Sequence, residues 1–491
     1  MLFNSTEFFI FFPVVVTLYF LTSPNRRWLI LLLASYYFYA SWKPAYTLII
    51  IVSTLIDYFC SRAMGRYEDD EKQKRKPFLY ISLLSNLGIL LLFKYYNFFN
   101  DSAAGVANAL DMAYAMPAFE LLLPMGISFY TFQTMSYSID VYHGRIKPEK
   151  HLGIFALFVT FFPQLVAGPI ERAGNLLGQL KIEHKFEYGR VVAGLRRMAW
   201  GFFKKIVIAD NLALMVNQVY NNPTDFDGIS FAIATVFFAF QIYCDFSGYS
   251  DIAIGAAQVM GFRLMENFRS PYFSKSISEF WGRWHISLST WFRDYLYIPL
   301  GGNRVVKWRW YYNLFITFLV SGLWHGANWT FVIWGGLHGF YLVFAIVTAK
   351  QRETLAQATG LARHPQLLKW LQVLTVFTLV CFSWVFFRAN SLADALYIIS
   401  NMTSGLGNIA QAFTVDVSHA VFMDQGLKVF GVSVLSIILM ETVHLIQRNG
   451  SVSQLLMQRP AWVRWSVYYM AIIAVLLFGQ FGNQEFIYFQ F

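Results

Sequence analysis

Apolar residues gather into long runs along this chain, near positions 8–22, 28–42, 46–61, 78–98, 119–142, 151–168, 198–216, 229–245, 252–262, 311–324, 330–348, 370–388, 427–446 and 465–481. At 1.5 Å of rise per residue, roughly twenty residues cross a ~30 Å hydrocarbon core, so the longer runs predict membrane-spanning helices. Several runs are too short to span. The run Asn313 to Trp324 would rise only ~18 Å as a helix, which predicts that the next residue, His325, sits within the depth of the membrane.

The polar connections orient the runs. Arg26 and Arg27, the cluster from Arg62 to Lys76, and Arg145, Lys147 and Lys150 are basic, which places them in the cytoplasm. No Lys or Arg lies between Lys94 and Arg145, in the loop around Asp225 and Asp227, or from Ser391 to Gly426. Those loops are expected outside. Lys350, Arg352, Arg363 and Lys369, then Arg448, Arg459 and Arg464, mark further cytoplasmic loops, so both termini are expected outside. Residues 311–348 should then enter and return as a hairpin with His325 near its tip. The first run, Phe8 to Leu21, lacks a basic leader and a small-residue cleavage site, and reads as a retained span.

Two stretches have no clean span. Gly168 to Lys205 mixes charged and apolar residues in the manner of helices lying at the cytoplasmic interface. Arg263 to Arg309 carries basic residues among Trp, Phe and Tyr, and would dip into the membrane only if buried in protein or lining a cavity. With no internal repeat, low-complexity segment or soluble second domain in the pattern, residues 1–491 read as one domain, with 486–491 as an extracytoplasmic aromatic motif.

Composition agrees with this picture: 57% of residues are hydrophobic and 13% charged, against about a quarter charged in soluble domains. The 50 Phe, 28 Tyr and 15 Trp suit lipid-facing helices and interfacial belts. A net charge of +10 gathered into loops reads as topology signal and attraction to anionic membrane lipids, so nucleic acid is not expected as a partner. Cys60, Cys244 and Cys381 are scattered among apolar neighbours without metal-ligand spacing, and no metal is expected.

The chemistry-bearing residues cluster in the second half. His325 lies in Ser321-Gly-Leu-Trp-His-Gly-Ala-Asn-Trp-Thr330, with Trp324, Trp329 and Asn328 near it in sequence. An ionisable residue inside a membrane is costly and points to function. A neutral imidazole there can act as a general base on an attacking hydroxyl, or it can pack between helices on a backbone carbonyl. His338, in Trp334-Gly-Gly-Leu-His-Gly339, is a fallback base or a residue of close helix packing. His285 follows Arg283 and Trp284 and precedes Arg293 and Asp294. Arginines for phosphates and an aromatic face for adenine would suit a nucleotide-bearing acyl donor, though interfacial snorkelling has the same signature. Asp245 and Asp251 fall at membrane depth, where they would orient a histidine or pair with arginine. The aromatic end, Phe486-Ile-Tyr-Phe-Gln-Phe491, is either an interfacial anchor or a tail inserted into the protein's own outer cavity.

Taken together, Glu279-Phe-Trp-Gly-Arg-Trp-His285, Arg293-Asp-Tyr-Leu-Tyr-Ile-Pro-Leu-Gly-Gly-Asn303 and Gly322-Leu-Trp-His-Gly-Ala-Asn328 strongly resemble the membrane-bound O-acyltransferases (MBOAT), in particular the bacterial alginate O-acetylation type. Leu123-Pro-Met-Gly-Ile-Ser-Phe129, Phe162-Pro-Gln-Leu-Val-Ala-Gly-Pro169 and Asp245-Phe-Ser-Gly-Tyr-Ser-Asp251 fit the same type, so the likeness runs through the whole chain. The resemblance implies an all-α polytopic membrane protein of about 11–14 transmembrane or re-entrant helices around a thin central region with a funnel or tunnel. It further implies acetyl-CoA as donor, His325 and His285 as catalytic residues, and the bacterial inner membrane as location. Trp284, Arg283, Arg293, Asp294, Asn328 and Trp324 are the expected substrate-binding residues. Systems that export D-alanyl groups carry a similar Phe-x-Tyr-x-x-Phe end on a separate small peptide, which makes Tyr488 the candidate acyl relay. A periplasmic SGNH-type acyltransferase or other polysaccharide-modifying protein is the expected partner. A membrane carrier, or a scaffold subunit of a polysaccharide export complex, remains the alternative class of function.

Overall fold

The computed structural model describes residues 1–491 except 69, 120–121, 405–416, 448–449, 451, 482–485 and 488–491. Among the described residues every regular element is helical. Among the described residues, seven helices are long and apolar enough to cross a membrane, at Pro44–Met64, Lys72–Ala109, Gly228–Met260, Trp329–Val347, Pro365–Arg388, Gly426–Gln447 and Ala461–Phe478. The protein is a multi-pass, all-α membrane protein, as the pattern predicts. Its contacts fall into two compact units that interleave in sequence: residues 1–198 with 250–266, and residues 199–249 with 267–491.

The first unit holds α1 (Thr6–Leu21), α2 (Arg27–Ala40), α3 (Thr47–Met64) and α4 (Lys72–Leu90), which passes through a π-helical turn, Leu91–Tyr95, into α5 (Tyr96–Ala109). α6 (Ile127–Tyr142) begins later than the apolar run at 119 predicts: the left-handed Gly126, at φ +72°, precedes its first turn, and Phe119 is held by Asn97 instead. Its side chain donates to the Phe119 carbonyl at 2.8 Å and accepts from the Phe119 N–H at 2.9 Å. α7 (Leu152–Thr160) stops where Pro163 approaches and is followed by α8 (Ala173–Gln179) and α9 (Tyr188–Phe202), an amphipathic helix that exposes Tyr188 and Leu195.

Within this unit a fully buried carboxylate ties three helices together. Asp57 on α3 accepts from Ser82 Oγ at 2.5 Å and from Asn86 Nδ2 at 3.0 and 2.9 Å, both on α4. Ser82 Oγ accepts in turn from Ser138 Oγ on α6 at 2.8 Å, and Thr134 of α6 donates to Asn86 Oδ1 at 3.1 Å. An unsatisfied polar group at this depth would be strongly destabilising, and a fully connected set fixes helix register instead.

The second unit takes the end of α9 and a π-helical turn, Phe203–Ala209, leading into α10 (Asp210–Asn221). α11 (Gly228–Met260) is one helix of 33 residues where the apolar runs predict two. The polar residues that break the run are matched from elsewhere in the chain: Lys205 pairs with Asp245 at 2.7 Å, and Lys204 donates to Ser247 at 2.9 Å. Further along α11, in the first unit, Arg197 meets Asp251 at 2.8 Å and binds Glu266 in two-pronged fashion at 2.8 and 2.6 Å. Lys204 and Lys205 are therefore buried residues, the first bound to a hydroxyl and the second in an ion pair, and not interfacial ones.

No span crosses 263–306, as expected; that stretch forms the short helices α12 (Ile277–Trp281) and α13 (Ile286–Phe292) and a π-helical turn at Arg293–Tyr297. There follow α14 (Lys307–His325), α15 (Trp329–Val347), α16 (Ala349–Ala358), α17 (Pro365–Arg388) and α18 (Leu392–Asn401), then helices at Val417–Ala420, Gly426–Gln447, Val452–Met457 and Ala461–Phe478. α14 starts at Lys307, earlier than its apolar run. Its 19 residues rise ~28 Å, so arm length does not by itself put His325 at depth. What the structure shows of His325 is burial within the protein, where it is 3% exposed.

Candidate functional site

His325 is the last residue of α14, and the hairpin turns directly after it. Gly326 leaves helical geometry, and Asn328 caps α15 by accepting the Thr330 N–H on its side-chain oxygen at 3.0 Å. That is ordinary N-cap chemistry, and it gives the Asn328 oxygen a structural role in the hairpin. The two arms lie close because Gly322 faces Gly335: a Cβ on Gly322 would overlap the Phe331 carbonyl oxygen and sit 3.1 Å from Gly335 Cα. Small residues permit this approach of helix backbones.

The hairpin presents the His325 imidazole to a wall of rings. Trp334 of α15 stands edge-on with centroids 4.9 Å apart, Trp324 likewise at 5.0 Å, and Phe387 of α17 at 5.4 Å. Trp329, expected beside the histidine, is instead 54% exposed; Trp334 and Phe387 take its place. Neither was visible in the local sequence, since one lies two turns into the return helix and the other comes from a third helix.

His285 arrives by a different route. Its backbone is left-handed, with φ +43° and ψ 54°, a conformation that costs a non-glycine residue about 1–3 kcal/mol. Asn267 holds the turn in place: its carbonyl accepts the Ile286 N–H at 2.9 Å and its side-chain oxygen accepts the Ser287 hydroxyl at 2.7 Å. Arg269 N–H donates to the Arg283 carbonyl at 3.0 Å, closing the same loop. The outcome is a fully buried ring, edge-on to Phe246 at 4.6 Å and 6.3 Å from the His325 ring. Forty residues apart in sequence, the two imidazoles are brought together as neighbours in the buried aromatic interior.

The C-terminal segment enters the same unit. Phe486 and Ile487 are 2% and 3% exposed. Phe486 packs against Tyr249 at 4.9 Å and Phe246 at 5.7 Å, and the Ile487 N–H donates to Asp245 Oδ2 at 2.7 Å. Of the two readings of the aromatic end, insertion into the protein fits these residues. Tyr488 itself lies outside the described residues. Asp245 and Asp251 serve in ion pairs, with Lys205 and Arg197 respectively.

A model of the membrane-bound O-acyltransferase (MBOAT) family matches residues 151–387, which include both histidines. The probable alginate O-acetylase AlgI of Pseudomonas aeruginosa is 42% identical over 410 residues, covering 82% of this chain and 75% of that protein. The chain belongs to the MBOAT family. A peptidoglycan O-acetyltransferase of Helicobacter pylori is 34% identical over 448 residues, covering 84% of this chain and 81% of that protein. A teichoic acid D-alanyltransferase of Streptococcus thermophilus is 31% identical over 276 residues, 52% of this chain and 65% of its own length.

The other expected site residues of this MBOAT protein lie in four different surroundings. His338 is a packing residue: its Nδ1 accepts from the Trp281 indole at 3.2 Å, and Ser383 Oγ lies 2.9 Å from Nε2. Because an indole only donates, Nδ1 is the acceptor nitrogen and Nε2 carries the proton toward Ser383. Trp284 is fully buried, within 6.2 Å of Tyr243, Phe268, Tyr272, Phe280 and Trp384, so it has no face to offer an adenine. Arg283 does reach an open cavity of about 510 Å³, which it lines with Arg269, Ser270, Glu279, Gly282, His444 and Gln447; Glu279 pairs with it at 2.5 Å. Arg293 and Asp294 pair with each other at 2.8 Å on a partly exposed turn and do not line that cavity.

Proposed function

We propose that this protein moves an acetyl group from cytoplasmic acetyl-CoA through the bacterial inner membrane for O-acetylation of an extracytoplasmic polysaccharide, working with a separate periplasmic acyltransferase. The observation that carries the reading is the pair of buried imidazoles 6.3 Å apart in an aromatic enclosure, in a chain whose family transfers acyl groups to oxygen. The relatives named for alginate and peptidoglycan O-acetylation favour acetyl as the group and a polymer as its destination. Loop charge favours both termini outside.

In this reading the anionic end of the donor occupies the cavity of Arg269 and Arg283, where guanidinium groups suit phosphates. His325 takes the proton of the attacking hydroxyl, that of Tyr488, as its oxygen forms a bond to the thioester carbonyl. A phenol of pKa about 10 is a weak nucleophile until a base removes its proton. The C–S bond then breaks, CoA leaves as the thiol with the proton from His325, and acetyl-tyrosine remains. His285 holds the carbonyl oxygen on which charge develops. Transfer from acetyl-tyrosine to a sugar hydroxyl on the outer side restores the phenol.

Purified protein in sealed vesicles, supplied with labelled acetyl-CoA, is expected to release free CoA and to acquire label. Uptake of label without CoA release would replace the transferase with a carrier.

A further inference from the structure

The segment after helix Ala461–Phe478 is stitched to one patch of the second unit. Asn211 Nδ2 donates to the Phe478 carbonyl at 2.8 Å, and Gln480 Nε2 donates back to Asn211 Oδ1 at 3.0 Å. The Gln480 N–H donates to the Ile206 carbonyl at 3.1 Å. Ile206 lies in the π-helical turn Phe203–Ala209, and the wider register of such a turn frees a backbone carbonyl for an outside donor. The last described stitch is the strongest in kind: the Ile487 N–H on the Asp245 carboxylate at 2.7 Å, a charge-assisted bond inside the protein.

Asp245 is prepared for that role. Its side chain is 4% exposed, and Lys205, 8% exposed, meets its other oxygen at 2.7 Å while also reaching Asp210 at 2.9 Å. One ammonium thus serves two carboxylates, and one of these keeps an oxygen for the incoming backbone. Recognition through a backbone N–H fixes the register of the segment, whatever the side chain at 487. Phe486 sets the direction, sharing the Phe246 ring with His285: Phe246 is 5.7 Å from Phe486 and 4.6 Å from His285. The latch therefore lies one ring away from the histidine pair, and the next residue in the chain after Ile487 is Tyr488.

We propose that Asp245, held by Lys205, is a positioning residue that latches the C-terminal segment through the Ile487 N–H and so sets Tyr488 for acyl transfer at His285 and His325. The proposal rests on the relay reading above, and two independent readouts keep the two apart. The first is accessibility: full-length protein carrying Ile487→Cys is treated in vesicles with a membrane-impermeant maleimide, against the parent with its three buried native cysteines. The second is single-turnover acetylation of the C-terminal peptide from acetyl-CoA, followed by mass spectrometry.

With the latch intact, labelling at position 487 is slow. In the Asp245→Ala background it is expected to rise at least tenfold, while peptide acetylation falls at least tenfold with the KM for acetyl-CoA unchanged. Asp245→Asn, which is nearly isosteric and keeps one acceptor oxygen, is expected between the two; Gln480→Ala loosens the same segment without touching the ion triad. A residue that merely supports the fold would lower turnover and protein abundance together without exposing position 487. Unchanged protection in Asp245→Ala overturns the latch. Exposure with undiminished peptide acetylation overturns its positioning role. Full polymer acetylation by Tyr488→Phe would remove the relay, and the latch would then stand or fall on labelling alone.

Discussion

Adding a single methyl group at Gly322 should misplace His325 without touching it. The new Cβ would overlap the Phe331 carbonyl oxygen and press on Gly335 at 3.1 Å, and both obstacles are backbone, which cannot rotate away. α14 and α15 must separate by about 1 Å, at about 1–3 kcal/mol of overpacking strain. Gly322 lies one helical turn before His325, so the shift is passed to the imidazole almost in full. Misplacement of a catalytic group by ~1 Å costs on the order of 10²-fold in rate. Gly336→Ala is the internal control: its Cβ would meet only Leu319 Cδ1 at 3.7 Å and Phe315 Cζ at 3.9 Å, ordinary contacts at the same hairpin. The assay is acetyl-CoA turnover in vesicles at matched protein abundance. Gly322→Ala is expected about 10²-fold down and Gly336→Ala within a fewfold of the parent. Equal activity of the two variants would refute the claim that the glycine contact sets the position of His325.

Four further outcomes are expected. His285→Gly relieves the left-handed backbone at that position while deleting the ring, so membrane abundance is retained on immunoblots and turnover falls at least ~10²-fold; retained turnover would remove His285 from the chemistry. Ser383→Ala leaves the His338 Nε2 proton without its partner, costing about 1 kcal/mol in denaturant unfolding but leaving turnover within a fewfold, which separates His338 from the catalytic pair. Arg283→Ala should raise the KM for acetyl-CoA about tenfold or more, the worth of one charged hydrogen bond, with little change in kcat; an unchanged KM places the donor elsewhere. Arg197→Ala leaves Asp251 and Glu266 without their shared cation and, since all three side chains keep some exposure, should destabilise the first unit by about 1 kcal/mol, measured as a lowered Tm in detergent.

The hairpin was legible because a lone histidine between two apolar arms is a pattern that local sequence carries, and loop charge told which ends lie together. The interruption of α11 was misread for the opposite reason. Asp245 and Asp251 look like a break until Lys205 and Arg197 are known to meet them, and those partners lie 40 and 54 positions earlier. The same blindness to distant partners made Lys205 look interfacial and hid Asp57, whose hydrogen-bonding set comes from α4 and α6. Trp284 is buried where a ligand-binding face was expected because the turn at His285 has a left-handed residue, which rotates the side chains before and after it in a way no helical or strand period describes. The site histidines themselves were found by residue type in an unlikely place. Their enclosure by Trp334, Phe387 and Phe246 required the fold.

The most direct test of the account is a single-turnover measurement of CoA release from acetyl-CoA by purified protein in sealed vesicles, comparing the parent with His325→Ala at equal abundance. The account predicts a burst of one CoA per active protein in the parent and its loss, by at least ~10²-fold in rate, in the variant. An undiminished burst from His325→Ala would contradict it.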